Sequence, residues 1–243
     1  MEKVFQKALQ KVSLLLEKSE AQLWRSRLER VGRMAGASLK FKSIASARDK
    51  EELYDYLAEI RYALVFASLG FQVKLEPLGK KGPDLGISRD GHIAVVEVKR
   101  FRQINPGPLK ISLSDKEFLD NTFLLEPWGD LEREINKCIS RVEGKFKQVG
   151  DRASIIALWN DDEDLDEIGH EEAVRRLRDY AAQKGSSLPS GLLFILYASN
   201  WCRPRQQFYC FPLRVLEKPH IDWIQEIESS FVGTLKSGSC LQS

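Results

Sequence analysis

Gly82-Pro83-Asp84-Leu85-Gly86-Ile87-Ser88-Arg89-Asp90-Gly91-His92-Ile93-Ala94-Val95-Val96-Glu97-Val98-Lys99 is the stretch whose reading decides the fold. Asp84 to Ser88 reads as a short strand and His92 to Lys99 as a β-branched one, with Asp90-Gly91 as the hairpin turn between them. Folding that hairpin brings Asp84, where the first strand opens, to Glu97 and Lys99, where the second closes. Side chains alternate across a strand, so Glu97 and Lys99 share one face with their Cα atoms roughly 6 to 7 Å apart. Val98 points away and leaves its carbonyl available.

Two carboxylates and a backbone carbonyl, completed by water, suit a hard divalent cation. Asp84, Glu97 and the Val98 carbonyl are therefore the expected ligands, and Mg2+ (or Mn2+) the expected ion in preference to zinc. A lysine beside such an ion can position or help deprotonate an attacking water and offset phosphate charge, which gives Lys99 its expected role. Metal plus amine suits in-line hydrolysis of a phosphodiester.

Outward from the hairpin, Asp49 followed by Glu52 makes a capping box. Leu53, Leu57, Ile60, Leu64 and Ala67 then lie on one helical face, with Gly70 as the stop. Phe71 to Glu76 alternates as a strand. Residues 101 to 130 show no clean period and are broken by Pro106, Gly107, Pro108, Pro127 and Gly129, a length that hints at a lid or binding insertion. Helical spacing returns from Leu131 to Val149. Ala153 to Trp159 is a buried strand, Glu171 to Gln183 a charged helix, and Gly191 to Ala198 and Gln207 to Phe211 are further strands. Near the N-terminus, Phe5, Leu9, Val12 and Leu16 share a helical face that can pack on the main domain or pair two chains as a homodimer. Small residues from Gly32 to Ala37 end that helical segment.

The Pro-Asp, twelve-residue spacer and Glu-Val-Lys from Pro83 to Lys99 resemble the signature of the PD-(D/E)xK, or restriction-endonuclease-like, nucleases. The preceding helix, with Glu59, Ala63, Leu64, Leu69, Gly70, Phe71 and Val73, is similar to that family's first core helix and its entry into the first strand. The resemblance covers about Asp49 to Trp159. It implies an α/β fold with a restriction-endonuclease-like αβββαβ core and a central mixed sheet. On that basis the chain divides into an N-terminal helical segment (1–45), a nuclease-like domain (46–215) that includes a C-terminal α/β extension, and a C-terminal tail (216–243). It also implies catalytic roles for Asp84, Glu97 and Lys99, and makes Glu59 a second-metal or water-mediated ligand. The helix after the core strands carries no Gln-x-x-x-Tyr, the mark of one branch of the family, so that branch is not implied.

Basic residues surround the motif. Lys80, Lys81, Arg100, Arg102 and Lys110 flank it, and Arg133, Lys137, Arg141 and Lys145 recur every four residues along the following helix, a row that could track phosphates. Asp161, Asp162, Glu163, Asp164, Asp166 and Glu167 form an acidic block with no base between them, the pattern of a solvated loop. Against the chain's net +2, this block leaves +8 for the remainder, room for a polyanionic partner.

The whole chain has 243 residues, 43% hydrophobic and 30% charged, a globular composition. No apolar run is long enough for a membrane span, no signal-peptide core is present, and four scattered cysteines make no disulfide framework or usual zinc pattern. The expected location is the cytoplasm, and no membrane partner is expected. No phosphate loop, dinucleotide fingerprint or Gly-x-Ser-x-Gly elbow occurs. The expectation is a metal-dependent DNA endonuclease. Its rivals are an RNA-directed nuclease and a catalytically silent nuclease fold that binds nucleic acid or a protein partner.

Overall fold

The computed structural model describes residues 2–79, 82–101, 152–161, 167–199 and 208–230. It is an α/β structure in which the elements run α1 (Glu2–Leu15), α2 (Lys18–Val31), α3 (Ala37–Ala45), α4 (Lys50–Ser68), β1 (Gln72–Leu75), β2 (Leu85–Arg89), β3 (His92–Phe101) and β4 (Ser154–Asn160), then α5 (Glu167–Lys184), β5 (Leu192–Ser199), β6 (Tyr209–Pro212) and α6 (Lys218–Ser229). The six strands form one mixed sheet in the order β1-β2-β3-β4-β5-β6. The β1-β2, β2-β3 and β5-β6 pairs are antiparallel, and β3-β4 and β4-β5 are parallel.

Alternation along the central strands sorts the core into two layers. Val96, Val98, Ile155, Ala157 and Trp159 face an apolar cluster with α1 to α4 and α6, whereas Val95, Ile156 and Leu158 face a second cluster with α5. Both faces of β4 and β5 are thus buried, which is why these strands read as unbroken apolar runs.

The β2-β3 hairpin forms as its sequence dictates. Arg89 pairs with His92, and Asp90 and Gly91 occupy the left-handed region at φ 54° and 81°, the conformation of a two-residue primed turn. At the start of α4, the Asp49 carboxylate accepts the Glu52 N–H at 2.8 Å. Glu52 reaches back one residue further than a capping box requires, accepting the Arg48 N–H at 2.8 Å.

The N-terminal region differs from the sequence reading. The expected single helix is two helices, broken between Leu15 and Lys18, and a third, α3, follows Gly36 where small residues pointed to a break. Leu9, Val12 and Leu16 are buried inside the chain's own core, and Phe5 packs on Phe41 of α3 with ring centroids 5.2 Å apart. The apolar face offered as a homodimer interface is consequently consumed by intrachain packing.

The segment from 216 onward, expected as a tail, contains α6. Trp223 and Ile227 of α6 are buried in the larger cluster, and Glu226 pairs with Arg89 of the hairpin. Asp161, assigned to a solvated block, is also buried, for a reason that lies with Arg100. Among the described residues, no helix is long and apolar enough to cross a membrane.

Candidate active site at the β2-β3 fork

Leu75 pairs with Leu85 and Leu85 with Val96. One residue further along each ladder, Glu76, Asp84 and Glu97 form a row across three neighbouring strands. The Glu76 N–H donates to the Asp84 carbonyl at 2.8 Å and closes the first step of that row.

At Asp84 the β2 ladder ends, and the side chain takes over. Asp84 Oδ2 accepts the Val98 N–H at 2.8 Å, so β2 leaves β3 through a carboxylate. In an extended strand the N–H and C=O of one residue leave on the same edge. The Val98 carbonyl therefore also opens towards Asp84, while the Val98 side chain is buried in the core.

Glu97 is only 1% exposed. A carboxylate so deeply desolvated requires a counter-charge, and Lys99 supplies one with Nζ 2.9 Å from Glu97 Oε1. Lys99 itself remains partly open to solvent. The structure thus joins Asp84 to Val98 and Lys99 to Glu97 on the neighbouring strands β2 and β3.

Glu59 has a different setting from the one expected. It sits on α4 at 8% exposure, on a flank that α3 covers. The Lys40 ammonium of α3 contacts Glu59 Oε2 and lies 2.6 Å from Glu76 Oε1. Burial and the negative field of Asp84 push the Glu59 carboxyl above its ordinary range, with Lys40 pulling the other way. For Lys40, burial lowers the ammonium's pKa, but Glu59, Asp84 and Glu76 outweigh it and raise the net value above that of an ordinary lysine.

Lys40 and Glu76 were not singled out from sequence. A signal existed for Lys40, since it occupies the same helical face as Ala37, Phe41 and Ile44, all buried. Its placement depends on a close approach. Leu75 N–H donates to Ala35 O at 2.8 Å, and Gly36 at φ 82° begins α3 so near β1 that a Cβ would stand 1.9 Å from Leu75 O. Glu76 adopts φ 49°, a left-handed conformation uncommon outside glycine, with its N–H on the Asp84 carbonyl, its own carbonyl accepting the Gly79 N–H and its carboxylate on Lys40.

Arg100, expected to meet phosphates, is occupied by protein. Its guanidinium bonds Glu51 at 2.7 Å, Asp55 at 2.9 Å and Asp161 at 2.6 Å, and the side chain is 6% exposed. Burial lowers its pKa, the three carboxylates raise it, and the net shift is upward. Arg100 is a structural clamp between β3, α4 and the end of β4. Lys80, Lys81, Arg102, Arg133, Lys137, Arg141 and Lys145 lie outside the described residues.

Comparison with protein-family models, with curated proteins and with solved structures gives no match to this chain. Among the described residues no three His, Cys, Asp or Glu side chains group closely enough to hold a metal ion by themselves. The donor set that remains at the fork is all oxygen: the Asp84 and Glu97 carboxylates and the Val98 carbonyl. Such a set fits a hard divalent cation whose shell water completes, and it does not fit a zinc site of thiolates and imidazoles.

Proposed function

We propose that this chain is a metal-dependent nuclease of the PD-(D/E)xK type that hydrolyses phosphodiester bonds, with DNA as its principal substrate. One observation carries the reading: Asp84 is hydrogen-bonded to the backbone of Val98 across from Glu97, and Lys99 is paired to Glu97 at 2.9 Å. The order α4, β1, β2, β3 and a β4 parallel to β3 supports the same reading for the part of the expected αβββαβ order that falls in described residues; the expected helix over 131–149 lies outside them.

On this reading Asp84, Glu97 and the Val98 carbonyl hold Mg2+ or Mn2+, which when bound lowers the pKa of its water and offsets charge on the phosphate. Lys99, held against Glu97, orients the attacking water and faces the negative charge that grows on the phosphoryl oxygens. Water oxygen bonds to phosphorus as the bond to the leaving oxygen breaks; the attacking water gives up one proton to solvent, and the leaving oxygen takes one proton from solvent and departs as a hydroxyl, so that one water is consumed and no net proton is needed. The Asp84 hydrogen bond to Val98 fixes one ligand relative to the next before substrate arrives, which is how a rigid strand pair lowers the cost of organising the site.

The deciding experiment incubates plasmid, linear duplex, single-stranded DNA and RNA with the chain in Mg2+, Mn2+ or EDTA, beside folded Asp84→Ala and Lys99→Ala variants. Metal-dependent cutting of DNA that both variants lose supports the proposal. Cutting that persists in both removes the site assignment, preference for RNA changes the substrate, and nucleic-acid binding without cutting by any form supports a silent binding module.

A further inference from the structure

Lys40 brings a full positive charge into the interior at 1% exposure, from a helix outside the hairpin that carries the motif. Three carboxylates surround it. It touches Glu59 and Glu76 directly, and Asp84 is close enough to act on it electrostatically. Its ammonium also lies 5.5 Å from the centroid of the Tyr56 ring, on whose face a cation is favoured. Replacing both partners of a buried ion pair by apolar side chains is often neutral, whereas removing Lys40 alone would leave Glu59 and Glu76 as buried carboxylates without this counter-charge. This one sits where the motif's first acid meets the glutamate of α4.

Resting on the metal-dependent reading above, we propose that the Lys40 ammonium is a built-in second cation of the site. Glu59 and Glu76 are its counter-ions, and Asp84, Glu97 and the Val98 carbonyl hold a single divalent ion. Glu59 is then a positioning residue that acts through Lys40. The fixed charge on α3 does what a second, exchangeable ion would otherwise do: it places a cation against Glu59 and Glu76 beside the fork without requiring a second binding step.

Calorimetric titration of Mn2+ into the full chain tests this without substrate. The expected results are one ion per wild-type chain, none at this site in Asp84→Asn, and two per chain in Lys40→Met, where Glu59 and Glu76 are released to hold the second. Two ions in the wild type, or one in a folded Lys40→Met, overturns the proposal. Should Lys40→Met not fold, Glu59→Gln decides: unchanged stoichiometry with affinity altered by less than about threefold agrees with a counter-ion, while a loss beyond about tenfold makes Glu59 a ligand and overturns the proposal. Absence of Mn2+ binding in the wild type, or binding indifferent to Asp84→Asn, is a separate outcome that removes the metal-dependent reading and the built-in cation with it.

Discussion

Asp84 Oδ2 stands 2.8 Å from the Val98 amide nitrogen, and this bond makes one carboxylate serve two ends. It terminates the β2-β3 ladder in place of a backbone carbonyl, and it fixes the acid beside the Val98 carbonyl. The two roles separate by mutation. Asp84→Asn retains an oxygen that can accept the Val98 N–H but loses the charge, so its urea midpoint should stay near wild type while, under the proposed nuclease function, cleavage falls by about 100-fold or more. Asp84→Leu should lose the hydrogen bond as well and be less stable by about 1 kcal/mol. An Asn variant that cuts at the wild-type rate would sink the ligand role.

Arg100→Met should lower the unfolding free energy by about 2 to 3 kcal/mol, a figure reduced from that of a fully buried network because Glu51 and Asp55 are more than half exposed. Nucleic-acid binding by the folded variant should keep the wild-type salt dependence, since the guanidinium is already engaged by protein. A double variant with Asp161→Asn should cost less than the two changes added. A shallower salt slope in Arg100→Met would return this residue to the phosphate-binding set.

Gly36 and Gly70 share φ 82°, but only Gly36 is pressed against another strand. Gly36→Ala should therefore cost at least about 2 kcal/mol and loosen α3, whereas Gly70→Ala, with open space at its Cβ, should cost about 1 kcal/mol. Chemical denaturation of the pair reads the difference. Equal losses would mean that the approach of α3 to β1 contributes nothing beyond backbone strain.

His170 of α5 is buried beside the Ser199 hydroxyl, 3.1 Å from Nδ1, and burial lowers its pKa to about 4. Unfolded, the ring titrates near 6.5, so the unfolded chain takes up the proton first as pH falls. Stability from the neutral ring is whole above about 6.5 and is lost progressively down to about 4, by roughly 3 kcal/mol in total. Urea midpoints measured at steps across this interval should decline in the wild type and decline less in His170→Gln. Parallel profiles would assign the acid sensitivity to other groups.

The hairpin was legible because its determinants are local: Asp90-Gly91 dictates the turn, alternation dictates the faces, and the register then places Asp84 across from Glu97. The α3 helix was not, since Gly36 and Ala37 look like a break until the approach of Leu75 shows why a glycine starts a helix there. Arg100 and Asp161 failed for a related reason. Each reads as a solvated charge in its own neighbourhood, and only the parallel pairing of β3 with β4 makes them partners. Glu59 was found by resemblance, but its cationic partner lies nineteen residues earlier on a separate helix, beyond the reach of any local period.

The parallel register aligns Phe101, Asn160 and Ser199 side by side, so three neighbouring strands end along one rim of the sheet, within two residues of Lys99. Below that rim the framework is fixed by two apolar layers, and the β1-β2-β3 ladder beside Asp84 and Glu97 is set there. A scaffold of this form separates inheritance of chemistry from inheritance of specificity: the strands transmit one, and whatever is spliced onto their crest is free to diversify the other.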